Sequence, residues 1–168
     1  MFFRYLAGLV DAWLAVARFG RRAWRALPGD LMGLLVMRAC AIPGISREVA
    51  SGSTSAGLVE HPNAGRYLDH ASIPIRAQTL GRYVFARERL SPELVEHELE
   101  HVRQWARLGP LFLPAYLASS LAALMRRRHP YSANRFEVAA RRRAYGPIDA
   151  PANSERGIER AAHFIPKP

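Results

Sequence analysis

Ser91-Pro92-Glu93-Leu94-Val95-Glu96-His97-Glu98-Leu99-Glu100-His101-Val102-Arg103-Gln104-Trp105-Ala106-Arg107-Leu108 carries its own start and stop. Serine caps a helix N-terminus, proline fits the first turn, and Glu93 adds a negative charge where the helix dipole favours one. Gly109-Pro110 closes the stretch. One helix is therefore predicted from Ser91 to Leu108. Residues four apart on a helix share a face, so His97 and His101 can present two imidazoles to one metal ion. Glu98 falls beside that pair, where a carboxylate can polarise a water molecule and shuttle its proton. Zinc suits imidazole and carboxylate ligands, and the chain has one cysteine, Cys40, so a multi-cysteine site is excluded. The competing reading is a solvated face on which Glu93, Glu96 and Glu100 pair with Arg103 and Arg107. It accounts for the charges but not for two histidines at ligand spacing.

Two histidines do not complete a site. Downstream candidates for a third ligand are Glu137, His129, Asp149, Glu155, Glu159 and His163. Glu137 is preferred, with Asp149 as runner-up. It lies in a predicted helix, Tyr131 to Ala144, where Ala139 and Ala140 permit close helix approach. An exposed pair of Glu137 with Arg141 is the bland alternative. Tyr131 and His129, just before that helix, are candidates to steady an oxyanion, or else a turn residue and a capping histidine. Gln104 and Trp105 continue the active helix as packing or supporting residues.

Working outward, Ile73 to Arg87 alternates and is rich in β-formers, which predicts one or two strands, most firmly Thr79–Arg87. Residues 51–66 are rich in Ser, Gly, Asn and Pro and predict a loop with one short strand at Gly57–Glu60. Residues 1–27 have apolar positions at helical spacing followed by Arg18, Arg21, Arg22 and Arg25. Pro28-Gly29 is predicted to end this helix, and a second apolar helix follows from Leu31 to Ile42. Asp11 interrupts the first apolar run, which disfavours a signal peptide. Leu108 to Met125 has no charge and precedes Arg126-Arg127-Arg128, at the length threshold for a membrane span. A single span would put Glu137 across the bilayer from both histidines, so Leu111–Met125 is read as a buried or membrane-surface helix.

The expected fold is α+β and mostly helical, with a small edge sheet before the active helix. Residues 1–45 form N-terminal helices, 46–146 the metal-binding core, and 147–168 an irregular tail. At 168 residues the chain is long enough for a core without staples. The net charge of +10 comes almost wholly from arginine, since Lys167 is the one lysine. An arginine and alanine bias is also what a GC-rich bacterial genome produces. Residues 61–110 carry 7 positive and 6 negative side chains, residues 111–168 carry 10 and 4. The basic ends suit an anionic membrane surface. Arg126–Arg128 and Arg141–Arg143 lack the fold motif and aromatic interleaving of a nucleic-acid site, so nucleic acid is disfavoured.

His97-Glu98-x-x-His101 followed by Asn134-x-x-Glu137-x-x-Ala140 resembles the gluzincin type of zinc metallopeptidase. Thr79-Leu80-Gly81-Arg82-Tyr83-Val84-Phe85, the His97–Gln104 stretch, Leu108-Gly109-Pro110-Leu111-Phe112 and Ala115-Tyr116-Leu117 together resemble a group of small bacterial HExxH proteins. They are also similar to the minimal metallopeptidase core attached to some contractile injection systems. The likeness covers about residues 75–145. It implies a zincin-like core with one zinc ion held by His97, His101 and Glu137, with Glu98 as catalytic base. It also implies a peptide or protein substrate. The expected setting is the bacterial cytoplasm or the membrane periphery. The alternative is a metal-binding module, without turnover, at a membrane or in an assembly.

Overall fold

The computed structural model describes residues 27–70 and 75–146. The fold is α+β, with a four-stranded sheet preceding a long helix. Residues 27–39 form helix α1. Strands β1 (Arg47–Ser51) and β2 (Thr54–Glu60) make an antiparallel hairpin, and helix α2 (Pro62–Leu68) follows. Strands β3 (Ala77–Leu80) and β4 (Tyr83–Ala86) make a second hairpin. Helices α3 (Pro92–Leu108), α4 (Phe112–Met125) and α5 (Arg135–Tyr145) complete the described residues. The sheet order is β1-β2-β4-β3, and β2 and β4 pair in parallel through the crossover that contains α2.

Alternation along the central strands sends side chains to two apolar layers. Leu58 and Val84 point to one face and pack with Leu94, Leu99 and Val102 of α3. Val59 and Phe85, their neighbours, point to the other face and pack with Met37, Ile42 and Ala64. The sheet is thus covered on both faces, and the central strands read as apolar runs for that reason. The same period of two puts Leu80 among the second group and turns Thr79 towards α3. A third cluster, Trp105, Phe112 and Phe136, joins the end of α3 to α4 and α5.

Two local expectations change with the structure. Pro28 and Gly29 lie within α1, and the helix expected to end at them lies outside the described residues. Gly29 is needed there for contact, because a Cβ on it would lie 2.6 Å from the backbone nitrogen of Gly81. Asp30, buried beside it, accepts hydrogen bonds from the Arg82 backbone N–H (2.8 Å) and Nε (2.9 Å), clamping α1 to the β3–β4 turn. The strand expected at Gly57–Glu60 lies within β2, and the rest of residues 51–66, where a loop is expected, supplies the end of β1, the start of β2 and most of α2. His61 caps α2, its Nδ1 accepting from the Asn63 N–H at 3.1 Å, with Pro62 in the first turn. This is the Ser91-Pro92 signal with a less common cap. Finally, α5 begins at Arg135 and not Tyr131, because Asn134 is its N-cap. Residues 1–26 of the N-terminal helix expected over residues 1–27, and the tail with Asp149, Glu155, Glu159 and His163, lie outside the described residues.

The uncharged run forms α4, about 21 Å long, and the chain then turns back so that α5 packs along α3. The segment after the run thus returns to the helix before it. Only Phe112 and Ala123 of α4 are buried, so it is not a core helix.

Candidate metal centre

α3 runs with one side against the sheet and the adjoining side against α5. Leu99 and Val102 face the sheet, and His97, His101 and Gln104 face α5. Glu98, rotated ~100° from His97, falls near the boundary between the two sides. All four polar side chains are buried. Burying groups of this kind is costly unless they are partnered, and Glu98, His101 and Gln104 have hydrogen-bond partners.

Glu137, at the third position of α5, enters between the two histidines. Its Oε2 lies 3.4 Å from His97 Nε2 and its Oε1 3.3 Å from His101 Nε2. The two Nε2 atoms are 3.3 Å apart. The rings meet edge to face, with centroids 4.9 Å apart. Ligand atoms on a tetrahedral ion with bonds of 2.0–2.1 Å sit about 3.3–3.4 Å from one another. The two imidazole nitrogens have that spacing, each imidazole lies at a similar distance from a different oxygen of the Glu137 carboxylate, and one ligand atom from each of the three residues lies within 4.8 Å of the other two. The three side chains form a buried group able to hold a metal ion.

The surroundings fix how His101 and Glu137 point. Gln104 Nε2 donates to the Phe136 carbonyl at 3.1 Å. A carbonyl only accepts, so the amide oxygen must face His101, which donates from Nδ1 at 2.8 Å. That leaves the Nε2 lone pair of His101 aimed at the ligand group. Asn134 fixes Glu137. Its Oδ1 accepts the Phe136 N–H at 2.9 Å, and its Nδ2 donates to the Tyr116 carbonyl and to Ser120 Oγ. Tyr116 also donates its hydroxyl to Glu137 Oε1 at 2.8 Å. Glu98 is held from the sheet, its Oε2 accepting from Thr79 Oγ1 at 2.6 Å, while Trp105 Nε1 donates to the Thr79 carbonyl at 3.2 Å.

The electrostatics follow from this packing. Burial favours neutral Glu137, but the two imidazoles outweigh it and hold the carboxyl well below its usual range. Burial also works against a charged His101, yet Glu137 raises it to about 9. A metal ion binding here must therefore displace a proton. Tyr116 and Tyr131 are both raised, by burial first and then by the Glu137 charge, so both keep their hydroxyl protons.

Of the residues predicted from sequence, His97, Glu98, His101 and Glu137 come together. Tyr131 lies near the same place, where the Glu137 charge acts on its hydroxyl. His129 does not, because its Nδ1 accepts from the Tyr131 and Ser132 N–H groups and caps a turn. Arg141 does approach Glu137, at 3.9 Å, but Glu137 is buried and not an exposed partner. Sequence reasoning gave no role to Thr79, Tyr116 or Asn134. Asn134-x-x-Glu137 is itself a capping pattern, and taken so it sets the start of α5. Thr79, a hydroxyl in β3 of the hairpin that precedes α3, is the available signal for the Glu98 contact. Comparisons with protein families, curated proteins and solved structures found no match to this chain.

Proposed function

We propose that this protein is a zinc-dependent hydrolase of the gluzincin type, acting most readily on peptide bonds. The observation that carries the proposal is the buried group of His97, His101 and Glu137 with a second buried acid, Glu98, next to it on α3. Zinc, when bound, supplies a Lewis acid and lowers the pKa of its water. Glu98 takes the proton of the attacking water and returns it to the leaving amine. Thr79 orients the carboxylate for both transfers. Gln104 and Tyr116 hold two of the three ligands in place. Tyr131, whose hydroxyl stays protonated, would donate a hydrogen bond to the oxygen of a substrate carbonyl as charge develops there.

The test has two parts. Elemental analysis of protein purified without added metal should find about one zinc per chain, and His97→Ala or His101→Ala should lose it. Added zinc should raise the unfolding temperature of metal-stripped protein, since a ligand of the native state alone stabilises it. Glu98→Gln should keep metal and fold but lose peptide hydrolysis by about 10²–10⁴-fold, the worth of a general base.

A second reading, a metal knot without turnover, is favoured by one observation: all three ligands are buried. If wild-type protein with zinc bound cleaves nothing in a broad peptide screen, the knot replaces the enzyme. If no metal binds, both readings fall.

A further inference from the structure

α4 is built inside out. Its residues facing the protein include hydroxyls that are all engaged. Tyr116 reaches Glu137, Ser119 Oγ accepts from the Arg135 N–H at 3.0 Å, and Ser120 Oγ accepts from Asn134 at 2.8 Å. The opposite side, an arc of about 120° at 100° per residue, carries Leu113, Leu117, Leu121, Leu124 and Met125. All five are exposed, Leu117 by 66% and Met125 by 78%. A helix lying on a water-soluble core has the reverse arrangement. One exposed leucine needs no explanation, but a continuous row marks an interaction surface.

The charge beside this row identifies the occupant. Arg126, Arg127 and Arg128 follow α4 directly and are exposed, and no acid occurs from residue 111 to 136. We propose that the outer face of α4 lies in the surface of an anionic lipid bilayer. The leucines enter the acyl boundary and the three arginines meet headgroup phosphates. A second copy of the chain packed on α4 would cover the leucines but bring no anion to the arginines. The helix lies flat, because its inner face is bonded to the start of α5. A second exposed row, Leu27, Leu31, Leu34 and Leu35 of α1, is tied to α4 through Trp105. That ring packs against Gly29 on one side and Phe112 on the other. This proposal does not depend on the metal reading.

The experiment is vesicle flotation of the full chain. Binding should be stronger on phosphatidylcholine vesicles containing phosphatidylglycerol than on phosphatidylcholine alone, by about fivefold per arginine engaged. Replacing Arg126, Arg127 and Arg128 together with Ser should erase that preference. Leu117→Glu and Leu121→Glu, at exposed positions, should leave circular dichroism and unfolding temperature unchanged. Each should weaken partitioning about tenfold or more, the worth of one buried leucine. A fluorophore on Leu121→Cys, in a Cys40→Ser background, should be quenched by brominated lipid. The proposal is overturned by no binding to either vesicle, or by binding that the α4 substitutions leave unchanged. It is equally overturned by a concentration-dependent dimer that Leu121→Glu dissociates.

Discussion

The pocket between α3 and α5 and the outer face of α4 are one helix apart, and each inverts the usual distribution of polar and apolar groups. In the pocket, two histidines and two carboxylates are buried. On α4, five large apolar side chains are exposed. The inversions differ in how they are balanced. Every buried acid in the pocket has partners within the chain: Thr79 for Glu98, and Tyr116 with both histidines for Glu137. Among the described residues nothing covers the leucines. An inward-facing charge must be balanced before folding is complete, so its partners are encoded in the same chain. An outward-facing leucine costs the folded monomer little, and its partner can come from outside. Tyr116 and Leu117, adjacent in sequence, belong one to each region.

The largest expected effect is in the pocket. Glu137→Ala removes the one ligand that comes from α5. Metal affinity should fall by more than the 10–100-fold that a ligand's hydrogen-bond partner is typically worth. Zinc titration with a competing chelator measures it. Retention of wild-type affinity would mean that another acid completes the site, and would break the contrast between a self-sufficient pocket and an open face.

Leucines at the two kinds of position sharpen the contrast next. Leu99 is 1% exposed between α3 and the sheet. Leu99→Ala should cost about 2–5 kcal/mol in urea unfolding. A cost below about 1 kcal/mol would mean that the sheet–α3 interface is loosely packed. It would then be too mobile to hold Thr79 against Glu98.

Gln104→Leu acts on orientation alone. The shape is nearly kept, but His101 Nδ1 and the Phe136 carbonyl both lose their partner. Zinc affinity should fall about 10–100-fold while the same number of ligands remains. An unchanged affinity would show that the ligand group is held by packing and not by this hydrogen-bond chain.

How much of this was legible beforehand differs by region for a physical reason. The α3 helix announces itself through local chemistry: Ser91 caps it, Pro92 starts it, and Gly109, at φ 59°, ends it. The His97/His101 pair is equally local, since its geometry is one helical turn. Glu137 is 36 residues further on than His101, and its preference over Asp149 rested on helical context and family likeness. Thr79 and Tyr116 could not be assigned because their roles depend on which face of a strand or helix meets α3, a tertiary fact. The β1–β2 hairpin and α2 were hidden by short length and by Ser, Gly and Asn, which form tight turns as readily as loops. For α4, the sequence showed an apolar segment without charge. It did not show that the hydroxyls turn inward, because Ser119 and Ser120 are polar by type but find their partners only when Asn134 caps α5.

The smallest expected effect is at Leu117, and it completes the contrast with Leu99. The two are the same residue type on successive helices, one enclosed and one 66% exposed. Leu117→Ser removes an apolar side chain that makes little contact in the folded monomer. In vesicle-free buffer its unfolding free energy should lie within about 0.5 kcal/mol of wild type, as for surface substitutions generally. The unfolding midpoint in urea should move correspondingly little, with an unchanged slope. A loss above about 1.5 kcal/mol would show that Leu117 is covered by part of the chain outside the described residues. The α4 face would then have an internal partner, as the pocket does, and the two regions would follow one rule. Near-neutral stability in buffer together with weaker vesicle binding separates them: one side of α4 is needed to fold, and the other to find a surface.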